Sequence, residues 1–240
     1  MRNKVSLLFL FTASSLFSMD DYKINASLSY SPIVLDGHQK LGDGVSNISF
    51  SRLGIKDSEA TLIPTIELVY ENKHKLFISL ISLQYNNQKT LTEDITKSDY
   101  TYITDTNINT RTDTTFISTG YRNIIGDIGY GFDINSYRYS VSISDKLNST
   151  SIENSFVFPT LSIDVSTKIK KYNFDYGASV GEGSDMNYFK FYFSGGFDFE
   201  YIKHSNISLG YKQSEFYIND GIYETFHRYK GPYLNLHVKF

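Results

Sequence analysis

From about residue 20 onward, apolar and polar residues alternate with period two rather than the period of a helix. Phe189, Phe191, Phe193, Phe197, Phe199 and Tyr201 share one parity, while Lys190, Tyr192, Ser194, Gly196, Asp198 and Glu200 take the other. Successive side chains of a strand point to opposite faces, so one face here is aromatic and the other polar. The same split runs through Tyr172, Phe174 and Tyr176 against Asn173, Asp175 and Gly177. It recurs in Leu62, Pro64, Ile66, Leu68 and Tyr70, with Ile63 and Val69 off pattern. Ile128, Tyr130, Phe132 and Ile134 alternate with Gly129, Gly131, Asp133 and Asn135. Beyond Ser136 the apolar parity changes to Tyr137, Tyr139, Val141 and Ile143, which predicts a β-bulge. Around residues 74–85 two parities compete: Leu76, Ile78 and Leu80 against Phe77, Ile81 and Leu83.

The pattern predicts ten strands, at about 22–34, 60–71, 74–85, 112–123, 127–143, 153–167, 171–182, 187–201, 205–219 and 226–240. Every second connection is tight, at Glu71-Asn72-Lys73-His74, Asn123-Ile124-Ile125-Gly126, Lys168-Ile169-Lys170 and Ile202-Lys203-His204. The others are polar, and the first and third are long. Short turns at one end and longer loops at the other are the layout of an outer-membrane barrel, with turns in the periplasm and loops outside the cell. The expected fold is therefore all-β: a closed antiparallel up-and-down transmembrane barrel. Its strand number is even, between eight and twelve, and ten by the count of turns. Twelve would follow if Val45–Phe50 and Tyr100–Ile103 formed strands of their own. Aromatics recur beside the tight turns at Tyr22, Tyr70, Tyr121, Tyr172, Tyr201 and Phe240, as in a periplasmic aromatic girdle. In the last strand Leu234, Leu236, Val238 and Phe240 face one way, and Tyr233, Asn235, His237 and Lys239 the other. A closed sheet must pair this strand with the first, because an edge open to lipid leaves backbone groups unsatisfied.

Composition changes this picture little. A mean hydropathy of -0.28 is ordinary for a soluble protein, but barrel strands dilute hydropathy with lumen residues. Met1-Arg2-Asn3-Lys4 followed by apolar Val5 to Phe17 and Ser18 reads as a Sec export signal over 1–18, leaving 19–240 as one barrel domain. The apolar run is too short for a membrane helix. With no cysteine there is no disulfide framework or thiolate site, and a net charge of -3 argues against nucleic acid as partner.

In layout the chain resembles a group of short, functionally uncharacterised proteobacterial outer-membrane barrel proteins. The resemblance rests on Leu53-Gly54-Ile55-Lys56-Asp57-Ser58-Glu59 and on Lys230-Gly231-Pro232-Tyr233-Leu234 followed by alternation to Phe240. Asn235 stands where such proteins often have a small residue. The resemblance implies a barrel in the outer membrane and supplies no catalytic residues. It also implies that the last strand, Leu234, Leu236, Val238 and Phe240, is the signal read by the barrel-assembly machinery.

No nucleotide-loop, HExxH or GxSxG motif is present in the sequence. Some small outer-membrane barrels modify lipids with Ser and His near the outer leaflet. His227, near Glu224, Ser214 and Glu215, is the candidate for such a role. Asp36, Asp43, Asp57 and Glu59 match no calcium-loop spacing, and neither metal nor other cofactor is expected. Glu67, Asp133, Asp164, Asp175, Lys190, Asp198, Glu200 and Lys212 fall on polar parities, so they are expected to form a charge network in a narrow lumen. If Lys190 is a buried partner in that network, its removal should cost about 3–5 kcal/mol. The expected role is structural or surface interaction, with a largely plugged lumen. Outer-membrane lipid and lipopolysaccharide are the expected surroundings, and any extracellular ligand is expected on the long loops. The alternatives are a narrow porin-like channel with slight cation preference and a lipid-modifying enzyme.

Overall fold

The computed structural model describes residues 22–40, 47–55, 57–97, 100–198, 205–219 and 224–240. The expected export segment 1–18, Asp43, Lys56, Glu200, Tyr201 and the turn at Ile202-Lys203-His204 lie outside the described residues. The strands are β1 (Tyr22–Lys40), β2 (Asn47–Ser49), β3 (Ser58–Tyr70), β4 (His74–Thr90), β5 (Ile95–Lys97), β6 (Tyr100–Tyr102) and β7 (Asn107–Ile125). They continue as β8 (Ile128–Ser144), β9 (Ser149–Ile169), β10 (Tyr172–Glu182), β11 (Met186–Asp198), β12 (Ser205–Asn219) and β13 (Glu224–Lys239).

Ten strands, β1, β3, β4 and β7 to β13, form the wall, each antiparallel to its neighbour. β13 pairs with β1 from Asn25↔Lys239 to Gln39↔Thr225 and closes the barrel. β2 only extends the upper part of β1, and β5–β6 is a small separate hairpin, so the segments that allowed twelve strands add none to the wall. The tight turns have the backbone they need. Glu71 and Asn72 both adopt positive φ, 50° and 55°, as in the two-residue turn whose twist matches that of the strands.

The predicted bulge after Ser136 is absent. β8 runs in one unbroken register against β7, from Asn109↔Ser144 to Ile125↔Ile128, and against β9, from Ile128↔Val165 to Ser144↔Ser149. Side-chain direction therefore never changes along β8; the surroundings do. In the turn-side half Ile128, Tyr130, Phe132 and Ile134 point outward and lie exposed, while Asp133 and Asn135 are buried inside. In the loop-side half Arg138 points outward, and Tyr137, Tyr139, Val141 and Ile143 are buried inside. β9 repeats the switch. Val157, Leu161 and Ile163 are exposed outside Thr160 and Ser162, whereas Ser151, Glu153 and Ser155 are exposed outside the inward Phe158, Phe156 and Ile152.

The barrel is thus two vessels in series. The turn-side half is inside out, with large apolar side chains such as Leu62 and Leu161 exposed to 58% and 69% on its outer surface. That surface suits hydrocarbon and would be unfavourable in water. The loop-side half is built like a soluble protein and projects as a collar. The competing parities in β4 have the same origin: Leu76, Ile78 and Leu80 are exposed on the apolar band, and Ile81, Leu83 and Tyr85 face the collar's core.

Candidate functional site

In the turn-side half the lumen is polar and built around Arg122. Its guanidinium forms an ion pair with Asp133, including Nη2 to Oδ2 at 3.1 Å, and donates from Nε to Asp164 Oδ2 at 2.6 Å. Ser162 Oγ and Thr160 Oγ1 donate to Asp133 at 2.7 and 3.2 Å, and the Tyr192 hydroxyl donates to Asp164 at 3.0 Å. Arg122 and Asp133 are each only 2% exposed. A charge persists at that depth only when paired and hydrogen-bonded, and the planar guanidinium fork serves both carboxylates at once. Two glycines make the room: a Cβ on Gly120 would fall on Asp133 Oδ1, and one on Gly177 would crowd Asp164 Oδ1 and the Tyr192 ring.

The residues of the predicted charge network separate into distinct settings. Asp133 and Asp164 belong to the Arg122 cluster. Glu67 pairs with Lys75 at 3.4 Å and accepts from Asn25 Nδ2 at 3.3 Å. Asp175 accepts from Ser194 Oγ at 3.5 Å. Asp198 pairs with exposed Lys168 at the turn-side rim and is not a buried lumen charge; Glu200 lies outside the described residues. Lys190 and Lys212 make no ion pair among the described residues. Each ammonium instead lies 5.7 Å from an aromatic centroid, those of Tyr192 and Tyr233. The expected pairing of Lys190 is therefore replaced by Arg122 and Lys75, both missed in the sequence. Arg122 stands on the inward parity of β7 with Gly120 and Ser118, a weak signal in a strand of few apolar residues.

In the collar the lumen is filled. Phe116, Tyr137, Phe158, Tyr188, Phe216 and Tyr229 meet there, with the Tyr137 and Phe216 rings stacked at 3.9 Å. The Tyr229 hydroxyl bonds to Thr114 Oγ1 at 2.8 Å and to the Tyr137 hydroxyl at 3.0 Å. The long connections fold over this core rather than standing free. Phe50, Leu53 and Ile55 from the first are buried, as are Leu91, Ile95 and Tyr102 from the third, and the Tyr102 hydroxyl donates to Ile143 O at 3.0 Å.

His227 is not a rim residue. It is 0% exposed, faces Phe50, Tyr139 and Tyr229, and its Nδ1 hydrogen-bonds the Tyr137 hydroxyl. Glu215 points to the outer surface, where it accepts from Arg228 Nε at 2.8 Å, and Glu224 accepts from the Tyr217 hydroxyl at 3.0 Å, so neither acid orients His227. Asp36 faces Lys230 and Arg228, at 3.3 and 3.5 Å, and among the described residues no group of three side chains is arranged to hold a metal ion.

The turn-side girdle is continuous over part of the circumference. Tyr22 and Tyr70 rings lie 4.7 Å apart, His74 stacks on both Tyr70 and Tyr121, and its Nδ1 bonds the Tyr121 hydroxyl at 2.7 Å. Tyr172 and Phe240 are exposed on the same end, and Tyr201 lies outside the described residues. Leu234 and Leu236 are exposed on the outer face of β13, and Phe240 is exposed just past its end. Gly231 is needed beside them, since a Cβ there would strike the Pro32 carbonyl of β1.

Below the aromatic core lies a cavity of about 230 Å³, and toward the turn end a vestibule of about 540 Å³. Among the described residues both spaces lie on the turn side of the aromatic core. No family model matches the chain, and no curated protein matches it. Among solved structures, the outer membrane protease OmpT of Escherichia coli superposes with a TM-score of 0.61 at 10% identity, covering 95% of this chain and 100% of OmpT. Ail, the attachment invasion locus protein of Yersinia pestis, in complex with a heparin analogue, gives 0.43 at 7% identity over 89% of this chain and 99% of Ail. The NalP autotransporter translocator domain of Neisseria meningitidis gives 0.41 at 10% identity, over 97% and 93%. The likeness to OmpT is one of fold, and it agrees with the closed wall and the exposed apolar band: the chain has the fold of a bacterial outer-membrane β-barrel.

Proposed function

We propose that the protein resides in the bacterial outer membrane as a permanently closed barrel and acts through its collar, as a structural or surface-interaction module. The filled collar carries this reading. A conducting pore needs a continuous wet path, and here stacked rings and two folded-in loops occupy the place where that path would leave the barrel. The outer surface of the collar is instead rich in charge, with Arg138 paired to Glu153, and Arg228 and Lys230 beside Asp36. Export through the Sec pathway by residues 1–18 and recognition of Leu234, Leu236, Val238 and Phe240 by the assembly machinery belong to the same proposal.

The channel alternative keeps only the vestibule, which is open toward the turn end. The enzyme alternative loses its candidate, because a substrate cannot reach a His enclosed by Phe50, Tyr137 and Tyr139. OmpT is a protease, but at 10% identity that activity does not transfer. Membrane fractionation with a heat-modifiability gel tests the location and the closed wall. The protein should sediment with outer membranes and migrate faster unboiled than boiled. A soluble protein with one mobility would refute the proposal.

A further inference from the structure

The cavity beneath the aromatic core has an unbalanced lining. Four cationic side chains, Lys75, Arg122, Lys190 and Lys212, border it with two carboxylates, Glu67 and Asp164. Glu67 is engaged by Lys75, and Asp164 by Arg122 and the Tyr192 hydroxyl, with Arg122 shared with Asp133 just behind the lining. Lys190 and Lys212 are left facing the space with an aromatic ring each and no carboxylate partner among the described residues. Hydroxyls complete the lining: Ser27, Ser29, Ser79, Ser118 and Ser214. A cluster of ammonium groups and hydroxyl donors drawn away from bulk water calls for an anion. The cavity shares Ser27, Tyr192, Tyr233, Asn235 and the paired Glu67 and Lys75 with the vestibule below, so a solute can reach it from the turn end while the aromatic core stops it above.

We propose that this cavity binds a small tetrahedral oxyanion, of the size of phosphate or sulfate, held between Lys190 and Lys212 and admitted from the turn end. The occupant is a resident or sensed ligand rather than a transported one, because nothing leads onward through the collar. The site depends on the barrel fold alone and not on where the collar acts.

The test uses the refolded barrel in a zwitterionic detergent, heated with inorganic phosphate, sulfate or chloride at one ionic strength. Loss of the compact band on an unboiled gel gives the unfolding midpoint. Phosphate and sulfate should raise the midpoint by a few degrees in a saturable way, as ligand linkage requires, and chloride should not. Lys190→Met with Lys212→Met should abolish the rise, and Lys212→Arg should retain it. A wild-type midpoint that does not distinguish phosphate and sulfate from chloride would overturn the site, as would an undiminished rise in the double variant. Should that variant not fold, ³¹P line broadening of phosphate by the wild-type barrel, reversed by sulfate, decides. Absence of broadening also overturns the proposal.

Discussion

At the scale of single residues, the turn-side lumen depends on one cation. Arg122 neutralises Asp133 and Asp164 together, and both carboxylates would be stranded without it. Breaking a buried pair by deleting one partner costs about 3–5 kcal/mol, because the remaining charge is uncompensated. Arg122→Ala should therefore lower stability by about that amount, read from urea unfolding of the barrel in lipid vesicles. Lys190→Ala should cost much less, since Lys190 leaves no carboxylate behind. Equal losses in the two variants would contradict the assignment of Arg122 as the hub. Gly120→Ala should mimic part of the Arg122 defect, as the added methyl displaces the Asp133 carboxylate from the guanidinium. These pairings were beyond the reach of the sequence for a simple reason. Asp133 and Asp164 could be placed on an inward parity by local alternation, but Arg122 and Asp164 are 42 residues apart, and only the register of three strands brings them together.

At the scale of elements, each strand carries one parity and two media. Alternation gave the strand count and, among the described residues, three tight turns to within a few residues, because both are local consequences of backbone geometry. It misread the change at Ser136 as a bulge, because alternation reports which face is apolar and not why. Inside a membrane the outer face is apolar; above it the inner face is. A long strand crossing the boundary exchanges the two without any backbone irregularity, and the same event explains the off-pattern Ile63, which is buried in the collar's core. The boundary can be located by charge. Leu161→Arg on β9 lies in the apolar band and should destabilise by about 2–4 kcal/mol, whereas Ser151→Arg on the same face should cost about 0–1 kcal/mol. Equal costs for the two in vesicle-based unfolding would remove the boundary. The burial of the long connections is not legible in the sequence, because Phe50, Leu53, Leu91 and Tyr102 stand among Asp, Asn, Thr and Ser. Their burial depends on a core that other strands supply.

The connections above that core have their own acid sensitivity. Asp145 is held below the ordinary carboxylate range by hydrogen bonds from the Asn148 and Leu147 backbone N–H groups, and Asp94 by those from the Thr104 N–H and hydroxyl. For a carboxylate with a depressed folded-state value, the stabilisation is complete above its unfolded value near 3.8 and is lost as the pH falls through the folded value. The β8–β9 connection and the β5–β6 hairpin should thus resist pepsin at about pH 5 and become cleavable as the pH falls below 3.8. Asp145→Asn, which cannot become the same acceptor anion, should be cut at the 145–148 connection already at the higher pH. Identical pH profiles for wild type and variant would show that the carboxylate does not hold this turn.

At the scale of the whole molecule, the lumen is narrowed in the turn-side half and closed in the collar, by different physics. The turn-side half is narrowed by paired charges that leave a cavity of about 230 Å³, and the collar holds a buried aromatic core around a residual space of about 30 Å³. The collar's closure is the decisive one. A polar constriction can hydrate and admit ions, whereas stacked apolar rings exclude water along with them. The closure is also redundant, since Phe50, Leu53 and Ile55 descend from one connection and Leu91, Ile95 and Tyr102 from another. Phe216→Ala should then cost about 3–5 kcal/mol through lost packing against Tyr137, Tyr188 and Tyr229 and yet open no pore, because the loops remain seated above it. Planar-bilayer recordings at moderate salt should find no steady conductance from the wild type, and none from Phe216→Ala so long as its unboiled band stays compact. Stable, charge-selective single-channel steps from the wild-type barrel would overturn the closed-lumen reading and make the vestibule the lower half of a pathway.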